Sequence, residues 1–237
     1  MDNNKILKTA KENRALWFRI VKGFLRIFVR KPKYIYLKEE FTGPCLILSN
    51  HCSVHGPLAY ELFTDKCIRL WGTYEMNSDL KSVYRYLSNV YFHQKKHINK
   101  FLSKIIGFIA CPILYIFYRG LRLISTYTDY RFKNTLRESM EALKDDQTLV
   151  IFPEDSSEGY FDEIKVFKPG FLALANHAYK TGLDLPIFVA YYNHKTRNLI
   201  FDKKVMYSEL LSLNLTSEEL LDKLRIRCNE LGKMNLK

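Results

Sequence analysis

Cysteine is scarce and scattered in this chain: five residues, Cys45, Cys52, Cys67, Cys111 and Cys228, with no Cys-x-x-Cys pair in 237 positions. That spacing excludes the usual structural zinc sites and dithiol redox centres. An odd number of thiols, mostly inside apolar runs, fits buried cysteines in a reducing compartment. Zinc-finger spacing, an RNA-binding aromatic signature and a basic zipper are also missing, so no nucleic-acid partner is expected. The first five residues, Met1-Asp2-Asn3-Asn4-Lys5, lead into more charge and read as no signal peptide. Long apolar runs are lacking too. Residues 105–118 come nearest, but they fall short of the roughly 20 residues a span needs, and Pro112 interrupts them. A buried or interfacial helix is the expectation there. His93 and His97 share a helical spacing but have no carboxylate or Cys at ligand distance, and Lys95-Lys96 lie between them, so no metal site is expected. The acidic stretch 158–163 lacks the alternating oxygen ligands of a calcium loop.

Positive charge and aromatic rings are abundant. Lys and Arg number 37 against 25 Asp and Glu, a net charge of +12, with 16 Tyr and 16 Phe. The charge favours anionic partners, and without a nucleic-acid motif those are lipid or phosphorylated small molecules. The aromatics suit a thick core, or a deep apolar pocket. In residues 11–31, Trp17, Ile20, Val21, Phe24, Leu25 and Phe28 follow the spacing of one helical face, with Arg19, Lys22, Arg26 and Arg30 on the other. Such a helix lies in a membrane interface, or else docks on the core with its basic face in solvent. Pro32 ends it. The chain therefore divides into an N-terminal basic amphipathic helix, 1–33, and an α/β domain, 34–237.

Beyond that helix, short apolar runs alternate with helical patterns. Strands are expected at 34–37, 45–48, 67–71, 123–126, 148–152 and 185–190. Helices are expected from about Pro57 and over 80–92, 131–143, 171–179 and 218–231. This alternation predicts a mixed, largely parallel sheet covered by helices on both faces.

Two strand exits are chemically loaded. Leu46-Ile47-Leu48-Ser49 runs into Asn50-His51, and Gly56-Pro57 opens the next helix. A histidine where strand ends meet helix starts can take a proton from an alcohol. Leu149-Val150-Ile151 likewise empties into Phe152-Pro153-Glu154-Asp155-Ser156-Ser157. Cys52 adjoins His51, but adjacency in sequence does not make a nucleophile.

Taken in order with Leu185-Pro186-Ile187, these elements resemble the glycerolipid acyltransferases, a family that includes lysophosphatidic acid acyltransferases. The likeness covers about residues 40–200. It implies that His51 deprotonates a lysophospholipid hydroxyl, which attacks the thioester of acyl-CoA or an acyl carrier protein; no other cofactor is implied. It makes His51, Glu154 and Asp155 the catalytic candidates, and Asn50, Phe152, Pro153 and Ser156 substrate-binding ones. It also implies work at the cytoplasmic face of an anionic membrane, peripherally or monotopically. Three departures stand out. The family's Asp five residues after the His is here Gly56, preceded by His55. Asp155 or Glu61 is the candidate substitute; if neither orients His51, an Asp introduced at 56 is expected to hydrogen-bond the imidazole, and if one does, the same Asp is expected to do nothing or harm. The family's Gly-Thr-Arg is here Asp155-Ser156-Ser157, and Tyr127-Thr128-Asp129 stands where Tyr-Arg is common. Arg122 and Arg131 are then the candidate phosphate ligands. A catalytically degenerate relative that binds lipid or acyl groups is the competing reading.

Overall fold

The computed structural model describes residues 14–236. Residues 1–13 of the expected N-terminal segment lie outside them. The chain folds as an α/β protein around an eight-stranded mixed, mostly parallel sheet flanked by helices. In chain order, helix α1 (Leu16–Phe28) precedes β1 (Lys33–Tyr36), β2 (Leu46–Ser49), α2 (His55–Phe63), β3 (Ile68–Thr73), α3 (Tyr74–Asn77) and α4 (Leu80–Arg85). A π-helical segment, Tyr86–Lys95, continues α4. Then come α5 (Lys100–Leu121), β4 (Ile124–Thr126), α6 (Phe132–Lys144), β5 (Thr148–Ile151), α7 (Gly170–Lys180), β6 (Pro186–Asn193), β7 (Asn198–Phe201), β8 (Val205–Met206), α8 (Tyr207–Ser212) and α9 (Ser217–Lys233).

The strand order is β1-β7-β6-β2-β5-β3-β4, with β8 on β6. β2 pairs in parallel with both β5 and β6, and β3 in parallel with β5 and β4, while β7 and β8 run antiparallel to β6. The expected strands at 34–37 and 45–48 are present but are not neighbours, because β7 and β6 lie between them. Burial on both faces explains why β2 and β5 read as unbroken apolar runs. Their side chains divide with the period of two. Leu46, Leu48, Leu149 and Ile151 join α6, α7 and α9 in one core, while Ile47 and Val150 meet Phe18, Ala59 and Tyr60 of α1 and α2 in the other.

Two expectations need correcting. First, α5 does not stop near Pro112: it runs for 22 residues, long and apolar enough to cross a membrane by length and composition. It packs through Ser103, Gly107 and Cys111, the side facing the π-helical segment, and Gly107 is required because a Cβ there would strike the Ser88 hydroxyl. Phe101, Phe108, Ile109 and Ile113 point outward, exposed. Second, α1 turns Phe18 and Lys22 inward, while Arg19, Arg26 and Arg30 stay at the surface. Lys22 is buried 3.3 Å from Glu61, which also takes a two-point bond from buried Arg14 (3.0 and 2.8 Å). Arg26 Nε donates to the Leu62 carbonyl at 2.6 Å. Phe18 packs on Phe117 and against Gly120 of α5. Leu16, Ile20, Phe24, Ile27 and Phe28 are thereby left outside, each at least 60% exposed.

Candidate active site

The parallel strands β2, β5 and β3 end on one side of the sheet, and His51 and Glu154 sit just past the first two. Asn50 fixes the exit of β2. Its side-chain N–H donates to the Tyr192 carbonyl (3.0 Å) and its Oδ1 accepts the Tyr192 N–H (2.7 Å), which ties it to β6. Asn50 is therefore engaged with main chain, not presented to a ligand. The backbone then turns through two consecutive left-handed residues, Cys52 (φ 44°) and Ser53 (φ 57°). Side-chain-bearing residues rarely hold that conformation, and strain of this kind collects at functional sites.

The His51 ring lies between Phe152, at 4.9 Å, and Tyr160, at 4.8 Å. Burial, with the charge of Lys95 second, pushes its pKa down to about 4, against the opposing pull of the Ser53 and His51 main chain. The imidazole is thus neutral throughout the neutral pH range, as a general base must be. Its Nδ1 is buried without a hydrogen-bond partner.

Glu154 stands beside that histidine by the register of β2 and β5, three residues past the Leu48–Ile151 pair. Burial pushes its carboxyl up to about 7, although the main-chain N–H of His51 and the charge of Lys95 both favour ionisation. One carboxylate atom, Oε1, is buried and unpartnered. Asp155 turns away. Burial alone would raise its pKa, but the Ser157 N–H and Lys168, 3.2 Å from Oδ1, hold it below the ordinary range. Glu61 is enclosed by Arg14 and Lys22. Neither suggested substitute reaches His51 as the structure stands. Gly56 is a packing requirement: a Cβ there would overlap the His51 carbonyl oxygen and stand 3.1 Å from the Asn50 oxygen. An Asp at 56 cannot be accommodated without moving the strand exit, which removes the expectation that it would simply hydrogen-bond the ring.

The arginine candidates are not at His51. Arg122 precedes β4 and aligns with Arg69 by the β3–β4 register, at the opposite end of the strands. Arg131 is on the same rim as His51 but three strands away, stacked over Tyr74 and Tyr127 and paired with Asp129 at 2.8 Å. The positive charge beside His51 comes instead from Lys95, whose Nζ donates to Ser156 Oγ (2.8 Å) and lies 5.5 Å from the centre of the Tyr160 ring. Burial, then Lys168, lowers the pKa of Lys95. Phe152 walls the His51 ring. The Pro153 carbonyl accepts the Lys168 N–H at 2.7 Å, closing the loop back on itself.

Lys95 and Tyr160 are the residues the sequence did not single out. The Lys95-Lys96 pair is legible there only as charge, since the winding that carries it over the 156–160 loop is a π-helical turn, closed by Lys96 N–H on the Tyr91 carbonyl. Such turns recur at functional sites. The same tip holds the loop through His97 Nε2 and the Glu158 carbonyl at 3.2 Å. Among the described residues no group of three or more His, Cys, Asp or Glu could hold a metal ion. No protein-family profile matches this chain, and no curated protein matches it.

Proposed function

We propose that this chain is an acyltransferase of the glycerolipid type, moving an acyl group from a thioester to the hydroxyl of a lysophospholipid at a membrane surface. The observation that carries the reading is His51: a neutral imidazole at a strained strand exit, walled by Phe152 and Tyr160, with a buried acid and a lysine beside it. In the reaction His51 takes the acceptor's O–H proton as the oxygen bonds to the thioester carbonyl carbon. The C–S bond then breaks, and the protonated imidazole returns the proton to the leaving thiolate. Lys95, with Lys168 behind it, supplies positive charge for an acceptor phosphate in the role that Arg122 and Arg131 are too distant to fill. The outward apolar faces of α1 and α5, on a chain of net charge +12, support contact with an anionic bilayer.

Purified protein incubated with acyl thioesters and a panel of lysolipids, with products read by mass spectrometry, tests this directly. The wild type should transfer acyl groups, and His51→Ala should lose transfer by roughly 10³-fold or more while keeping the wild-type circular dichroism spectrum. One observation favours a second reading, an acyl- or lipid-binding relative without turnover: Nδ1 of His51 has no carboxylate on it. Lysolipid binding with no product in any donor–acceptor pair would select that reading.

A further inference from the structure

Resting on the acyltransferase reading, we propose that Glu154 is the positioning residue for His51, taking over from the first turn of α2 the task of holding the Nδ1 proton so that Nε2 is left as the base. Four carboxylate positions compete for that task and three are closed by geometry. Position 56 has no room for a side chain. Glu61 sits in its own cage of Arg14 and Lys22. Asp155 faces Lys168 and caps the Ser157 N–H. Of the four, Glu154 is the one at the neighbouring strand exit: β5 pairs in parallel with β2, Leu48 opposite Ile151, and His51 and Glu154 each lie three residues beyond that pair. The His51 ring also packs on Phe152, two residues before Glu154, which holds the two loops together at that point.

The two orphans complete the argument. His51 Nδ1 and Glu154 Oε1 are both buried and both unpartnered. Buried polar atoms of a native fold nearly always find partners, and each exception calls for a reason. The two are complementary: a ring nitrogen that can donate and a carboxylate oxygen that accepts best when ionised. An Nδ1–H held by a carboxylate selects the tautomer with its lone pair on Nε2 and stabilises the imidazolium formed during transfer.

Other titratable groups surround the pair. Lys95 and Lys96 face it from the π-helical segment and its end, and Tyr160 from the loop. Cys52 adjoins His51, and Tyr191 on β6 and Cys228 on α9 feel the Glu154 charge. The thiols and phenols are all shifted upward. Within this group Glu154 is the one placed to titrate near neutrality, and burial sets that at about 7. Its ionised form, present above that pH, is the one that holds the Nδ1 proton. kcat/KM should therefore rise with pH through about 7. His51, at about 4, stays neutral and adds no limb of its own in that range.

Two measurements on the full chain decide the matter. The first is an NMR titration of the His51 ring, assigned by its loss in His51→Asn. It should show a tautomer-sensitive step in its nitrogen shifts near pH 7, absent in Glu154→Gln and retained in Glu154→Asp. The second is the pH profile of transfer: Glu154→Gln should lose that limb and cut kcat by roughly 10²–10⁴. If the wild-type ring shows no step near neutrality, or the step persists in Glu154→Gln, the proposal is overturned, whatever the turnover. The wild-type titration answers the question even if the variants fail to fold. If the step is present but no thioester and acceptor give product, the pairing stands and the acyltransferase reading falls.

Discussion

Gly56 shows how one missing side chain can be a structural decision. Its hydrogen is the only group that fits where α2 crosses the main chain of His51 and Asn50. Gly56→Ala and Gly56→Asp should therefore behave alike, each costing on the order of 2–3 kcal/mol through forced displacement of the strand exit. For a chain of this length that lowers Tm by roughly 5–10 °C. Thermal unfolding of the two variants checks the point. If Gly56→Asp were as stable as wild type and more active than it, the steric account would be wrong. Asn50 makes the complementary case, since its two bonds to Tyr192 convert a residue that reads as a substrate ligand into part of the sheet.

At the level of elements, α1 and α5 share a peculiarity: each leaves a run of large apolar side chains at the exterior, while α1 sends a lysine inward beside Phe18 and α5 packs through small residues. For α1 the cause is Glu61, buried at 1% exposure, which draws Arg14 and Lys22 inward. Leaving that carboxylate buried without its partners would be costly, so the ion pairs decide the rotation of the helix about its own axis. Spacing along the chain defines the two faces of α1 but not which one meets the fold. On the membrane reading proposed above, vesicle binding should depend on apolar contact more than on charge. Flotation with anionic vesicles should recover the full chain, and binding should survive about 0.5 M salt in part because apolar insertion is not screened. Replacing both Phe24 and Ile27 with Asp should abolish flotation with the fold intact. Equal binding by wild type and the double variant would remove α1 from the membrane contact.

Across the molecule, the site is assembled from three stretches far apart in the chain: residues 50–56 after β2, 152–160 after β5, and the tip of the π-helical segment near Lys95. The last is the one with a clear kinetic signature. Lys95→Gln should raise the KM for a phosphate-bearing acceptor by roughly tenfold or more while leaving the donor's KM within about twofold, the pattern of lost ground-state binding. An acceptor without phosphate should show no such change. Steady-state kinetics with a phosphorylated and an unphosphorylated acceptor make the comparison, and a uniform fall in kcat for both would assign Lys95 to holding the 156–160 loop instead.

Periodicity is enough to read the α/β class and most of the strands and helices, and it places His51 and the loop 152–156 at strand ends, where the structure has them. Those features are local: an unbroken apolar run that must be buried on both faces, a proline or glycine at a boundary, a polar residue at a strand's end. β7 is hard to read because its four residues are a short apolar run with no period of their own. The extent of α5 through Pro112 is equally hidden, because packing against the π-helical segment outweighs one lost hydrogen bond. What only the tertiary structure decided was partnership. Arg122 and Arg131 are plausible by spacing, yet strand order and register put one at the far end of the sheet and the other three strands from His51. Lys95 carries no signal along the chain that separates it from Lys96, and a helical winding of unusual pitch brings it to Ser156. Which acid serves a histidine depends on space, charge and burial around each carboxylate, and these are properties of the folded chain that no spacing encodes.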